Sequence, residues 1–181
     1  VFGDDEGVWV IDLSNDSCGR FETPSEFSAP DGMAVAWSAG RATLYVGGLC
    51  EGELCVISAE WGPTAGLGVT WDEILNVRAA SSALPAEWLA ATSFMRIDAI
   101  AVNPAKNNQV VVTTNAGIFF DHYAPQFIFT SLDGGETFSA DEEFAEGLPV
   151  RKLFTFGFSG DGQRVFAGGS CSSLFIRDWP Y

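Results

Sequence analysis

Gln126–Phe138 reads QFIFTSLDGGETF, an apolar strand that runs straight into a turn of unusual chemistry. After Gln126–Thr130 (QFIFT) come Ser131, Leu132, Asp133, Gly134, Gly135, Glu136, Thr137 and Phe138. A carboxylate at Asp133 can accept backbone N–H bonds within its own turn, and Gly134 and Gly135 tolerate positive φ. Phe138 then brings the chain back to the core. The stretch therefore predicts a strand, a tightly held turn and a further short strand.

Working outward, the same grammar recurs along the chain. Thr43–Gly48 (TLYVGG), Gln109–Thr114 (QVVVTT) and Arg164–Gly169 (RVFAGG) are β-branched or aromatic strands. Each follows another apolar strand, respectively Met33–Trp37 (MAVAW), Ile100–Val102 within DAIAV, and Leu153–Phe158 (LFTFGF). The turns between them are polar: SAGRA, NPAKNN and SGDGQ. Trp37, Val102 and Phe158 stand 65 and 56 residues apart, spacings that suit four-stranded antiparallel blades with some long loops. Val1–Asp12 also lines up with Val165–Asp178, so the chain is expected to start inside one blade and stop inside another.

The predicted fold class is all-β, with about three blades' worth of strands in one β-propeller region spanning 1–181. Its expected divisions are a partial blade (1–32), a blade with a helical insertion near 81–95 (33–96), a blade carrying the Ser131–Phe138 turn (97–150) and a second partial blade (151–181). Closed propellers have about 4 to 8 blades. An incomplete propeller or fragment is thus the expectation, with open strand edges covered by remaining blades of the same polypeptide or by other chains.

Ser131, Asp133, Gly135, Thr137 and Phe138 resemble the Asp-box, the Ser-x-Asp-x-Gly-x-Thr-Trp/Phe turn also called the BNR repeat, between third and fourth strands. Worn copies follow the same plan. Thr64–Trp71 keeps Gly68, Thr70 and Trp71 but has Gly66 where the Asp belongs, and Ser14–Phe21 keeps Ser14, Asp16 and Phe21. The resemblance implies a superfamily that includes sialidases, xyloglucan-cleaving glycosidases, sortilin-type luminal receptors and photosystem assembly factors, so it selects no single chemistry. It also implies that Asp133 is structural, away from the ligand-binding face.

Composition narrows the partners. The chain has 181 residues, 47% hydrophobic, enough to bury a core, and its formal net charge of −15 opposes the phosphate neutralisation that nucleic-acid binding needs. An acidic surface tolerates neutral sugars, cationic partners and divalent cations. No apolar run approaches the roughly 20 residues of a membrane span, and VFGDDEGVWV carries no signal-peptide pattern. Four cysteines suit an oxidising, secreted or luminal setting, and Cys50 and Cys55 bracket a short connection that a disulfide would close, while Cys18 and Cys171 have no assigned partner. With one histidine, His122, and no Cys-x-x-Cys, a structural zinc site is not expected. No cofactor is expected either. Asp4-Asp5-Glu6 and Asp141-Glu142-Glu143 offer oxygen ligands for Ca²⁺ without an EF-hand pattern and read first as solvated turns.

No catalytic residues stand out. Sialidases use an Arg-Ile-Pro motif and an arginine triad; Phe94-Met95-Arg96-Ile97-Asp98 lacks the proline, and Arg96 reads as a strand-edge residue. A glycosidase of the xyloglucanase kind needs two carboxylates at suitable separation, for which Asp31, Asp72, Asp98 and Asp121 are candidates. Trp61, Trp88, Tyr123 and Trp179 are candidates for stacking on sugar or protein, with packing between blades the competing reading. The leading functional expectation is a non-catalytic extracellular or luminal module with a structural or protein-interaction role. The alternative is a carbohydrate-active propeller, a glycoside hydrolase or glycan binder.

Overall fold

The computed structural model describes residues 2–4, 7–12, 17–38, 40–62, 68–80, 96–115, 128–140, 153–169 and 174–179. The insertion at 81–95, Trp88, the loop holding Asp121, His122 and Tyr123, and the acidic run at 141–143 lie outside them, as do Asp5 and Glu6.

Among the described residues, four antiparallel sheets follow one another along the chain. The first holds β1 (Phe2–Asp4), β2 (Gly7–Asp12) and β3 (Ser17–Arg20). In the second, β6 (Arg41–Cys50) pairs on one side with β7 (Glu53–Trp61), which pairs with β8 (Asp72–Asn76). The other side of β6 is shared by β5 (Met33–Ser38) and the two-residue β4 (Phe27–Ser28). A single helical turn, α1 (Val77–Ala80), follows β8. The third sheet is a meander of β9 (Arg96–Val102), β10 (Val110–Asn115), β11 (Ile128–Ser131) and β12 (Ser139–Ala140). The fourth holds β13 (Leu153–Phe158), β14 (Arg164–Gly169) and β15 (Leu174–Asp178).

The β6–β7 hairpin shows how the sequence writes a turn. Glu51 and Gly52 both take positive φ, 51° and 83°, the pairing that suits a two-residue turn to the twist of its strands. Cys50 and Cys55 are joined by a disulfide across this hairpin. Two strands exceed the expected lengths: β6 runs from Arg41 to Cys50, and β9 starts at Arg96 because its pairing with β10 continues past a register shift at Thr113/Thr114.

Alternation within each strand sends side chains to both neighbouring sheets. Ala42, Leu44 and Val46 of β6 pack with Val8, Phe21 and Ile57 toward the first sheet, whereas Tyr45 packs with Ile97, Ile100 and Val112 toward the third. Val110 and Val112 of β10 likewise face the second sheet, and Val111 joins Ile128, Phe156 and Val165 toward the fourth. Strands buried on both faces must read as continuous apolar runs, which is why VVV in β10 shows no polar alternation. Three clusters thus fill the three gaps between four sheets. The backbone approaches between sheets run mainly through β5, β6, β9 and β13, so β5, β9 and β13 of successive sheets lie side by side.

Candidate carboxylate site at the head of the inner strands

Ile97 is the residue that draws two of these inner strands together. It is 1% exposed and fills a notch made by two glycines. A Cβ on Gly47 would stand 2.5 Å from Ile97 Cγ2, and one on Gly32 would stand 2.8 Å from the same atom. Gly47 N donates to Gly32 O at 2.7 Å and Asp31 N donates to Gly47 O at 2.9 Å, tying the segment before β5 to β6. Asp31 and Gly32 are therefore held against the residues that flank Ile97, which are Arg96 and Asp98.

These three charged groups form the candidate site. Arg96 Nε donates to Asp98 Oδ1 at 2.7 Å. The Asp98 side chain is only 3% exposed, and its Oδ2 is buried with no hydrogen-bond partner. Asp31 is exposed at the same place, and burial of part of its surroundings pushes its carboxyl above the ordinary value, with Arg96 pulling it down and Asp98 pushing it up. Two carboxylates in unlike surroundings, beside one guanidinium, are an arrangement that can hold a hydrogen-bond donor. Of the four acidic candidates read from the sequence, Asp31 and Asp98 come together; Asp72 lies at the start of β8 opposite Ser58, and Asp121 is outside the described residues.

The opposite end of the inner strands belongs to the Ser131–Phe138 turn. Ser131 Oγ donates to Asp133 Oδ1 at 2.7 Å and accepts from Gly135 N at 2.8 Å. Thr137 donates to Asp133 through its N at 2.9 Å and through its Oγ1 at 2.5 Å. Gly134 and Gly135 have φ of 82° and 103°, and Phe138 packs at the margin of the core between the second and third sheets. Gly134 N donates to Asn108 O, Asn108 Nδ2 donates to Leu132 O, and Tyr45 Oη reaches Gly134 O at 3.2 Å, so the turn seats on the β9–β10 connection and on the second sheet. From Asp98 to that connection β9 advances about 13 Å. The two features occupy different ends of the molecule.

The other predicted positions have structural surroundings. Gly68 and Thr70 are exposed just before β8; Trp71 donates its Nε1 to Glu22 O at 2.8 Å and packs edge-on against Phe21. Cys18, Gly19 and Arg20, read from sequence as part of a turn, instead form β3, because their backbone pairs with β2 from Trp9 to Ile11. Trp179 is 5% exposed and sits between the third and fourth sheets, so it is unavailable for stacking on a ligand. Trp61 is half-buried against Phe21 and Trp37, with its Nε1 buried and unpartnered. Arg41, Arg78, Arg96 and Arg164 pair with Glu60, Glu53, Asp98 and Asp178 in turn, four separate places rather than one anion grip.

Two features escaped the sequence reading. Ser159-Gly160-Asp161-Gly162 repeats the Ser-x-Asp-Gly spelling of Ser131–Gly134 and uses it alike: Ser159 Oγ donates to Asp161 Oδ1 at 2.5 Å and Gln163 N donates to the same oxygen at 3.0 Å. A buried chain of amides also links two sheets, with Asn103 Nδ2 and Trp179 Nε1 both donating to Gln109 Oε1, at 2.7 and 3.0 Å. The repeated spelling was a usable signal for the first; nothing in the spacing announced the second. Among the described residues, no group of three or more His, Cys, Asp or Glu side chains is placed to hold a metal ion, and no helix is long and apolar enough to cross a membrane.

No protein-family model matches the chain, and no curated protein matches it. Among solved structures it is similar to the Niastella koreensis GH74 enzyme, over 89% of this chain and 23% of that one, with 14% identity and a TM-score of 0.51. The fold is that of β-propeller blades. This chain thus spans about a quarter of that enzyme's length. The β-fructofuranosidase of Schwanniomyces occidentalis, solved with fructosyl-erythritol, matches 86% of this chain and 35% of its own, with 17% identity and a TM-score of 0.39. In propeller terms, β5, β9 and β13 are the inner strands, and the Asp31–Arg96–Asp98 cluster stands where two of them begin.

Proposed function

We propose that these blades belong to a carbohydrate-active propeller that works in a secreted or luminal setting, with the sugar received at Asp31, Arg96 and Asp98. The observation that carries this reading is the Asp98 carboxylate, one oxygen held by Arg96 and the other buried without a donor, beside the exposed Asp31. A sugar is a dense array of hydroxyl donors, and pockets that bind polar ligands place a few such acceptors at one point. The likeness of fold to a GH74 enzyme supports the carbohydrate-active alternative over the non-catalytic module. The Cys50–Cys55 disulfide supports an oxidising compartment. In the hydrolytic form of this reading, Asp31 and Asp98 are the paired carboxyl groups.

Isothermal calorimetry against a panel of soluble neutral, acidic and cationic oligosaccharides tests it, together with an assay for new reducing ends. The expected result is saturable binding of at least one oligosaccharide that Asp98→Asn weakens by about tenfold, the loss of one charge-assisted hydrogen bond. Absence of binding across the whole panel would overturn the reading.

A further inference from the structure

We infer that the Asp31–Arg96–Asp98 cluster selects a cationic sugar, one bearing a free ammonium group, over a neutral or acidic one. The inference rests on the carbohydrate reading above and assigns its ligand class.

The accounting of donors and acceptors leads there. A carboxylate is acceptor-only, and a guanidinium is donor-only. Asp98 Oδ1 takes the Arg96 Nε proton at 2.7 Å, which leaves Asp98 Oδ2 buried with nothing to accept. An acceptor left so in a buried place is costly until a donor arrives. Asp31 adds a second acceptor group at the same place, open to solvent. The cluster therefore presents surplus acceptors and one uncompensated negative charge, in a chain whose formal net charge is already −15. A sugar hydroxyl would satisfy Asp98 Oδ2 and leave the charge standing. An ammonium brings three donors and one positive charge, so it satisfies both carboxylates and neutralises the site. An acidic sugar would be repelled. The seating of Ile97 in the Gly32–Gly47 notch keeps the segment that carries Asp31 and the strand that carries Asp98 from moving apart, so the acceptors are set before the ligand arrives.

Calorimetry on the chain with three tetrasaccharides decides the matter: β-1,4-linked glucosamine, its N-acetylated counterpart, and cellotetraose. We expect the glucosamine oligomer to bind about tenfold or more tighter than either neutral one. We expect Asp98→Asn to reduce that preference to about twofold, the cationic oligomer losing more affinity than the neutral ones, and Asp31→Asn to cut it severalfold. Circular dichroism checks the fold of both, and Asp31→Asn, at an exposed position, carries the test if the Asp98 variant unfolds. Equal or better binding of a neutral oligomer would overturn the inference and leave the carbohydrate reading standing. A preference that survives in the folded variants would also overturn it, because bulk charge alone would then account for it. Binding of none of the three would remove the inference, and silence across the wider panel would remove the reading too.

Discussion

Asp133 is an exposed carboxylate whose acid strength is nonetheless far from ordinary. Its carboxyl is lowered from 3.8 to about 2, first by the Thr137 hydroxyl, then by the Thr137 N–H and the Ser131 hydroxyl. All three donate to the charged form, which they stabilise over the neutral one. Because the folded value lies below the unfolded one, the turn contributes stability above about pH 4, and that contribution fades as the pH falls toward 2. Denaturant titrations across that window should therefore show a larger acid-induced loss for the wild type than for Asp133→Asn, with the two curves differing most near neutrality. Coincident curves would mean that the turn holds without its carboxylate. The spelling Ser-x-Asp-x-Gly-x-Thr was readable as this chemistry because every partner lies within six residues of Ser131.

At the scale of the element, the seam between the second and third sheets depends on side chains that are missing as much as on those present. Truncating Ile97 to Ala empties the Gly32–Gly47 notch and should cost about 2–5 kcal/mol in urea unfolding, in the range for buried aliphatic deletions. Gly47→Ala puts a methyl 2.5 Å from Ile97 Cγ2 and should cost about 1–3 kcal/mol by overpacking. Combined, the two substitutions should cost less than their sum, since each makes room for the other; strict additivity would mean that they do not share the space. The hairpin disulfide makes a smaller and separate contribution. Cys50 and Cys55 close a loop only five residues apart, so replacing both with Ala should cost about 2 kcal/mol on chain-entropy grounds, read as a shift in urea midpoint against the oxidised protein.

Across the whole molecule, stability lies between blades rather than within them. Each sheet has little interior of its own, and its buried residues belong to clusters shared with the next. The seam between the third and fourth sheets adds a polar staple to the apolar packing. Asn103 is 1% and Gln109 8% exposed, and Gln109 Oε1 is the common acceptor for Asn103 and Trp179. Gln109→Leu removes the acceptor that Asn103 and Trp179 share, while Asn103 Nδ2 keeps Gly162 O at 3.1 Å, and should cost about 1–3 kcal/mol. Hydrogen exchange should show β13 and β14 losing protection before β6 and β7 in that variant. Uniform loss of protection would instead mean that the blades unfold as one unit.

The sequence by itself determined the strand content, the strand–turn–strand rhythm, the disulfide hairpin and the polar turns, because each depends on residues a few positions apart and on periodicities set by the backbone. It also named Asp31 and Asp98 among its acidic candidates, without a reason to prefer them over Asp72 or Asp121. Only the tertiary structure decided that Asp31 and Asp98, 67 residues apart, come close enough for Asp98 to act on the Asp31 carboxyl, beside the notch that Ile97 fills. It likewise decided that Trp179 is interior and that Cys18–Arg20 pair as a strand. The physical reason is common to all three. Local hydrogen bonding and alternation repeat along the chain and leave a mark in it, whereas burial and the meeting of charges are set by which sheets stack, and stacking joins residues whose separation in sequence carries no period.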